Sequence, residues 1–565
     1  MPEDIISLGK KGVDEEGYSE IPDGYEKGKT KYVVVTGTVI SGIGKGIFSS
    51  SLGTVLGCNG LKVAPLKFDG YLNYDAGTLN PYRHGEVFVL DDGTETDLDL
   101  GSYERFNNRD LTKDNYLTAG KLFKTIIDKE RAGKYLGRDV QFVPHVTGEI
   151  KYFIRKLAVL SKADVVIVEV GGTVGDLENG YFVEAMRQLR HEEGADYVCF
   201  VNLSYILKPS SLGEFKSKAA QLGLKGLLSL GIQPDIIVCR SSLPIPDQIR
   251  QKISVSSNVP VESVFGLPNV GSIYEIPLYL KQIGLDKSII NHLKLNCCSG
   301  TGELTFENWE RFVYALKNVN KTINVGITGK YTEVWDSYLS ILKALEHCAP
   351  YKYCNLNIIW IDTTEVTNEN VNEKLKDLDG IIVPGGFGSR GVEGKIKCVE
   401  YARKNKLPYL GLCYGFQMAI IEYARNVLGW SDAHTTEVDR ETSHPVIDLL
   451  PGQRSIDKMG GTMRLGGHDV LIKDGTLAYN LYNKNQIRER FRHRYEFNNR
   501  YLQEFVNSGV IFSGRAKHEE IMQILELRNH PFFIGVQFHP EYTSKPLRPS
   551  PIYTGFINAC LKRKL

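Results

Sequence analysis

A cysteine between two glycines is the residue best suited to covalent chemistry in this 565-residue chain. Cys413 follows the apolar run 407–412, and Gly411 and Gly415 flank it. This is the cysteine form of the G-x-S-x-G nucleophile elbow, a strained turn that exposes the nucleophile at a helix N-terminus. The helix dipole at that point favours the thiolate. The pattern predicts a nucleophile for acyl transfer.

A base and its orienting carboxylate follow later in the chain. His539 and Glu541 come directly after the apolar stretch 533–538, where a strand end is expected. The order Cys, His, Glu is compatible with a catalytic triad. The Gly-rich loop 384–388 also follows a strand, and its N–H groups, with that of Tyr414, suit an oxyanion hole. An isolated cysteine is more often structural and a glycine run can be a tight turn, but together these motifs favour catalysis.

These motifs resemble, in order and type, those of the class I glutamine amidotransferases, and the resemblance covers about 322–550. It implies that Cys413 attacks the glutamine amide, that His539 moves the proton to ammonia, and that Glu541 holds the imidazole. Six further residues are expected to contact glutamine: Gly386, Phe387, Tyr414, Gln417, Glu437 and Arg494. An arginine can grip the glutamine carboxylate bidentately.

Arginines alternate at positions 488, 490, 492 and 494. Apart from the predicted role of Arg494, this spacing is compatible with one solvated face of a strand. A nucleic-acid patch is less favoured, because no aromatic platform is interleaved with the arginines.

The N-terminal half opens with a second candidate site. The run 35–46 places a Gly-rich turn between a strand and a helix, and such a turn presents N–H groups and a lysine to phosphate. As a P-loop it is imperfect, since Gly37 and Gly44 are too far apart and Gly46 replaces the usual Ser or Thr. Carboxylates would then have to hold magnesium, and the candidates are Asp69, Asp97, Asp99 and Glu169. The alternative for these acids is a role as surface ends or caps.

The long run 67–106, with 169–178, 231–235 and 272–277, resembles the CTP synthase family, and with the second half the resemblance covers about 31–558. It implies that ATP phosphorylates the uracil of UTP with Mg²⁺ present, and that ammonia then replaces the phosphate. ATP contacts are expected at Ser41, Gly42, Ile43, Gly44, Lys45, Gly46 and Asp99, and Mg²⁺ ligands at Asp99 and Glu169. Lys45 and Lys67 would neutralise the transferring phosphoryl group.

The resemblance also implies contacts with UTP, and with CTP as feedback inhibitor. They are expected at Ser41, Lys67, Asp176, Leu177, Glu178, Lys216, Lys218, Gln221 and Lys252. The segment 216–221 departs from the family pattern at Ser217, Ala219 and Ala220, which puts UTP affinity or loop rigidity in question. GTP is expected to activate glutamine hydrolysis, with Arg390 as a candidate contact. Homodimers or homotetramers are expected, and filament formation is left open.

Strands alternating with helices predict an α/β protein with two doubly wound domains. The family resemblance implies that the first is P-loop-like, related to dethiobiotin synthetase, and that the second is a class I glutaminase domain. The predicted segments are an N-terminal extension at 1–30, an amidoligase domain at 31–290, a linker at 291–321 and the glutaminase domain at 322–565.

Bulk properties exclude several other classes. The net charge is +1, with 42% hydrophobic and 24% charged residues, so no overall field attracts nucleic acid or an anionic membrane. The chain has no long apolar run and no signal-peptide pattern, and its ten cysteines are scattered, so a reducing, cytoplasmic setting is expected.

Two alternatives remain. One is another ATP-dependent amidoligase fused to a glutaminase, such as a cobyrinate-type amide synthase, which would not explain the run 67–106. The other is a catalytically silent nucleotide-binding or filament-forming protein. The intact triad and Lys45 argue against it.

Overall fold

The computed structural model describes residues 20–209, 213–300, 302–330, 335–449 and 463–564. The predicted N-terminal extension lies outside this range up to residue 19. Residue 30 is already anchored, because the hydroxyl of Thr30 donates to the carbonyl of Ala163 at 2.8 Å. Among the described helices, none combines the length and apolar character needed to cross a membrane.

The strands of the described residues are, in chain order, β1 (Lys31–Thr38), β2 (Val63–Asp69), β3 (Phe88–Val89), β4 (Glu95–Thr96), β5 (Tyr116–Thr118), β6 (Val165–Val170), β7 (Val198–Tyr205), β8 (Ile236–Ser241), β9 (Val264–Pro268), β10 (Lys321–Gly329), β11 (Cys354–Asp362), β12 (Gly380–Val383), β13 (Tyr409–Leu412), β14 (His434–Thr435), β15 (Pro445–Leu449), β16 (Arg464–Ile472), β17 (Gln486–His493), β18 (Tyr495–Phe497), β19 (Val510–Ala516), β20 (Met522–Leu527) and β21 (Phe533–Val536). The α-helices are α1 (Lys45–Cys58), α2 (Pro81–His84), α3 (Leu98–Asn107), α4 (Ala119–Arg131), α5 (Thr147–Ser161), α6 (Gly180–Glu193), α7 (Lys218–Ser229), α8 (Asp247–Ser257), α9 (Ile276–Gln282), α10 (Leu285–His292), α11 (Phe306–Lys317), α12 (Leu339–Cys348), α13 (Val371–Leu375), α14 (Val392–Lys404), α15 (Tyr414–Asn426), α16 (Leu477–Tyr482), α17 (Leu502–Asn507), α18 (Pro540–Thr543) and α19 (Pro551–Lys564).

These elements form two compact units. The first unit holds the chain up to Asp75 together with Ser102–Glu310, and the second holds Ala76–Gly101 together with the chain from Arg311 onward. The short hairpin of β3 and β4 therefore belongs to the second unit, although the chain joins it at both ends to the first. This placement matters for the active site described below.

The first unit is built on a parallel sheet with the strand order β5-β2-β6-β1-β7-β8-β9. Alternate residues of β1 lie on opposite faces of the sheet. Tyr32 and Val34 pack into the core that contains α5 and α6. Val33 and Val35 pack into the core that contains α1 and α9. Both faces are therefore covered by helices, as the predicted doubly wound arrangement requires.

The second unit has a nine-stranded sheet with the order β11-β10-β12-β13-β21-β20-β19-β16-β17. The first five strands are parallel, whereas β20, β19, β16 and β17 continue antiparallel. Helices α12 and α19 cover one face, and α14 and α15 cover the other. The parallel half matches the predicted doubly wound domain, and the antiparallel half extends the sheet beyond β21.

Candidate active sites

The elbow at Cys413 has the strained backbone that its glycines predict. Cys413 lies between β13 and α15. Its φ of 48° and ψ of −96° fall outside the backbone regions that non-glycine residues favour. A Cβ at Gly415 would lie 2.1 Å from the carbonyl oxygen of Val383, and one at Gly411 would lie 2.5 Å from the Tyr409 hydroxyl. Only glycine fits at either position, so the elbow depends on both.

The three predicted triad residues are buried and lie together. Nδ1 of His539 is 2.7 Å from Oε1 of Glu541, and a Cβ added at Gly385 would lie 3.0 Å from the imidazole Cε1. The exposed fractions of Cys413, His539 and Glu541 are 4%, 7% and 3%. The ring of Tyr542 stacks on the imidazole, with 4.9 Å between centroids. The base is thus held on two sides.

The electrostatics favour a charged imidazole. Burial by itself lowers the pKa of His539, but the negative charges of Glu541 and of the Cys413 thiolate outweigh it and raise the pKa to about 10. Nε2 of His539 is buried and has no hydrogen-bond partner among the described residues. A positively charged imidazole beside Cys413 would stabilise a negatively charged sulfur.

The predicted oxyanion loop lies beside the elbow. The hydroxyl of Tyr414 donates to the Gly388 carbonyl at 2.8 Å, and the Gly388 N–H donates to Oε1 of Glu437 at 2.7 Å. Lys330 donates to the carbonyl of Phe387. Burial raises the pKa of Glu437, although the bond from Gly388 opposes this. The loop is thereby tied to Glu437, one of the residues predicted to contact glutamine.

Gln417 lies on α15 one helical turn after the nucleophile. Its amide nitrogen donates to the Tyr495 carbonyl at 2.9 Å, next to Arg494, while its buried Oε1 has no partner among the described residues. Gln417 therefore contacts the backbone next to Arg494.

Gln537 contacts Cys413, which the sequence motifs did not indicate. Its amide nitrogen lies 3.6 Å from Sγ of Cys413, and the carbonyl of Arg492 lies 3.7 Å from the same sulfur. The sulfur therefore lies between a side-chain donor and a backbone acceptor. Gln537 stands two residues before His539, so the motif contained it without marking its role.

The structure overturns the interpretation of the alternating arginines as one solvated strand face. Arg490 is 1% exposed, and Nη1 donates to the Val89 carbonyl at 3.1 Å. Nε of Arg492 donates to Oε1 of Glu95 at 2.8 Å, and Arg488 grips Asp91. The strand face is covered by the β3–β4 hairpin, a partner too distant in sequence for the pattern to reveal.

In the first unit, the Gly-rich loop 39–44 joins β1 to α1 as predicted. Gly44 caps α1 in the left-handed conformation with φ of 93°. Val39, a β-branched residue, has φ of 82°, which is a strained value that clusters at functional sites. Lys45 is buried and donates to the Gly172 carbonyl. The loop that carries Lys45 therefore meets the loop after Glu169.

Lys67 and Glu169 form a buried pair at neighbouring strands β2 and β6. Nζ of Lys67 lies 3.0 Å from Oε1 of Glu169, and 3.8 Å from Oδ1 of Asp69. The hydroxyl of Tyr103 donates to the second carboxylate oxygen of Glu169. The family run includes Tyr103, but the sequence did not indicate this contact. Hard carboxylate oxygens on a buried strand end fit the requirements of magnesium.

The remaining predicted nucleotide residues fall into separate groups. Asp97 and Asp99 lie in the 76–101 segment of the second unit, whereas Glu169 lies in the first, so the magnesium pair stays a prediction. Asp176 accepts from the N–H of Thr173 at 2.7 Å, and Leu177 is 91% exposed.

The lysines predicted to bind UTP lie on or beside α7 and α8. Gln221 and Lys252 line the same surface cavity of about 500 Å³. Lys218 begins α7 and is exposed, and Lys216 pairs with Glu214. The structure thus brings Gln221 and Lys252 together, while the roles of all four stay predictions.

Comparisons with known proteins agree along the chain. The family model described as CTP synthase N-terminus matches residues 31–295, and the class-I glutamine amidotransferase model matches 333–559. A CTP synthase of Pyrococcus furiosus is 49% identical over 536 residues, covering 95% of this chain and 98% of that protein. One of Caldanaerobacter subterraneus subsp. tengcongensis is 48% identical over 535 residues, covering 95% and 99%.

A solved glutaminase domain of Trypanosoma brucei CTPS with bound acivicin is 36% identical and covers 43% of this chain and 94% of that chain, with a TM-score of 0.40. The identity and coverage of the full-length relatives, with the two family models, establish that the chain belongs to the CTP synthase family.

Proposed function

We propose that this protein converts UTP to CTP, using ATP and the amide nitrogen of glutamine. The observation that carries the proposal is one chain that combines a buried Cys413–His539–Glu541 arrangement with a phosphate loop in a CTP synthase N-terminal region. The 49% identity to a CTP synthase over 95% of the chain supports the choice of UTP as substrate.

The glutaminase half-reaction needs only the groups around the elbow. The Cys413 thiolate attacks the amide carbon of glutamine, and the C–N bond breaks as the imidazolium of His539 gives its proton to the leaving ammonia. Water, with its proton taken by His539, then hydrolyses the thioester to glutamate and restores the thiol. Glu541 keeps Nδ1 of the imidazole in place, and the N–H of Tyr414 serves the oxyanion.

The second half-reaction activates UTP. The γ-phosphoryl group of ATP moves to the 4-oxygen of the uracil and leaves ADP, and ammonia then attacks C4 and expels inorganic phosphate. Lys45 and Lys67 neutralise charge on the transferring group, because phosphoryl transfer depends on positioning and electrostatics.

A metal ion and regulatory ligands belong to the same proposal. Glu169, with Asp99, would hold Mg²⁺, which supplies positive charge to the phosphate oxygens when bound. Glutamine would contact Gln417, Glu437 and Arg494. GTP binds near Arg390 and activates glutamine hydrolysis. CTP binds at the segment 176–178 and inhibits the enzyme. The protein assembles as a homodimer or homotetramer.

The test is the absorbance of CTP formed from UTP, ATP and Mg²⁺, with either glutamine or ammonia as nitrogen donor. CTP from both donors is expected. If neither donor gives CTP, the proposal is wrong.

A further inference from the structure

Strand β17 links the candidate triad to the β3–β4 hairpin. The side chains of Arg490 and Arg492 contact Val89 and Glu95, while their backbone carbonyls face the triad. The carbonyl of Arg490 accepts from the N–H of His539 at 2.8 Å, and the carbonyl of Arg492 lies 3.7 Å from Sγ of Cys413. Each arginine therefore touches the hairpin with one end and a triad residue with the other.

The ion pair between Arg492 and Glu95 is the buried part of this link. The side chain of Glu95 is 1% exposed and that of Arg492 is 25% exposed. The second carboxylate oxygen of Glu95 has no hydrogen-bond partner among the described residues. A buried carboxylate with one charged partner depends strongly on it, so the pair keeps β17 and the hairpin together.

A separate contact reaches the triad from the other side. Tyr542 stacks on the His539 imidazole, and its hydroxyl donates to the carbonyl of Val87 at 3.2 Å. The Tyr542 ring also packs edge-on against Phe88, with 5.1 Å between centroids. The nucleophile and the base are thus both in contact with residues that the segment 87–95 holds.

We propose that Val87, Val89 and Glu95 of the segment 87–95 position the triad, with Glu95 and Arg492 as positioning residues. This inference rests on the proposed glutaminase role of Cys413. The carbonyl of Arg492 lies 3.7 Å from Sγ of Cys413, and the position of that carbonyl depends on the Glu95 pair. Because the segment and β17 both belong to the second unit, a shift of the segment reaches the nucleophile through β17.

The test compares two chemically equivalent changes on the same hairpin, Glu95→Gln and Asp91→Asn. Asp91 pairs with Arg488, but both side chains are largely exposed, at 37% and 51%. For Glu95→Gln we expect kcat for glutamate release to fall roughly 10- to 100-fold with little change in KM, because small misplacements at a catalytic group have such effects. Asp91→Asn should stay within about twofold of wild type, as exposed pairs contribute little.

A second readout separates positioning from mere loss of structure. The rate of Cys413 alkylation by iodoacetamide is measured at a fixed pH, and it should change in Glu95→Gln but not in Asp91→Asn, because only the Glu95 pair holds the carbonyl that contacts the sulfur. Tyr542→Phe keeps the ring on His539 and removes only the bond to Val87; its kcat should fall roughly fivefold, the effect of one hydrogen bond. This variant keeps the test decisive if Glu95→Gln fails to fold.

The inference is overturned if the kcat and the alkylation rate of Glu95→Gln match those of Asp91→Asn, or, where Glu95→Gln does not fold, if Tyr542→Phe behaves as wild type. Glutamate release and alkylation are measured with and without UTP and ATP. A wild-type protein that releases glutamate but makes no CTP would refute the proposed function and leave this inference standing.

Discussion

Nδ1 of His539 lies 2.7 Å from Oε1 of Glu541, although only Pro540 separates the two residues. Pro540 begins α18, so His539 lies outside the helix, with φ of −114° and ψ of 81°, while Glu541 is already helical. This change of backbone conformation turns both side chains to the same side. Because both are buried, the carboxylate orients the imidazole and stabilises its charged form.

Glu541→Gln should reduce glutamine-dependent CTP synthesis roughly 10²- to 10⁴-fold, since it removes the carboxylate that orients the base. It should also change the pH dependence of stability. The pKa of His539 is raised from 6.5 to about 10, so this stabilisation is present below pH 6.5 and lost as the pH rises through 10. Without Glu541 the pKa of His539 falls, so the stabilisation is lost at a lower pH. Thermal unfolding midpoints between these pH values check this; identical pH curves for both proteins would contradict it.

Cys413→Ala should abolish glutamine-dependent synthesis, by roughly 10³-fold or more, because no other group can form the thioester. Synthesis from ammonia should remain close to wild type, since the second half-reaction does not use the thiol. CTP formation with each nitrogen source measures both effects. Loss of the ammonia reaction as well would show that the cysteine has a structural role.

Glu489→Gln should make the stability of the protein less dependent on pH between 4.5 and 7. Glu489 accepts hydrogen bonds from Tyr482 at 2.7 Å and Thr543 at 2.8 Å, and burial raises its pKa from 4.5 to about 7. The folded state therefore keeps a proton that the unfolded state has lost, and stability falls as the pH rises from 4.5 to 7. The amide of Gln does not titrate, so the variant avoids this fall. The fall amounts to at most roughly 3 kcal/mol in the free energy of unfolding at pH 8.

Calorimetry of wild type and Glu489→Gln at pH 5 and pH 8 measures this difference. The variant should gain relative stability at the higher pH. An equal difference between the two proteins at both pH values would mean that Glu489 is ionised throughout.

Gly415→Ala should destroy the elbow. The added Cβ would lie 2.1 Å from the Val383 carbonyl, so backbone must move, and overpacking of this kind costs about 1–3 kcal/mol or more. Gly226, on α7, has no atom within 4 Å of an added Cβ, so Gly226→Ala should be neutral or stabilising by about 1 kcal/mol. Thermal unfolding and glutamate release compare the two; equal tolerance would show that the elbow can adapt.

The sequence alone was sufficient for the α/β class and for the positions of most strands that lead into the sites. Buried parallel strands appear as short, nearly continuous apolar runs, such as 165–170, and catalytic residues follow directly at their carboxyl ends. The flanking glycines of Cys413 and the spacing from His539 to Glu541 are local features, so they could be recognised without the fold.

Tertiary structure decided what the arginines of β17 do. Their alternation shows only that they share one face, and whether that face meets solvent depends on which distant segment covers it. The hairpin that pairs Glu95 with Arg492 comes from nearly 400 positions earlier, as the separation of 397 shows. Gln537 and Tyr103 gained their roles in the same way, because a contact between distant residues leaves no spacing in the sequence.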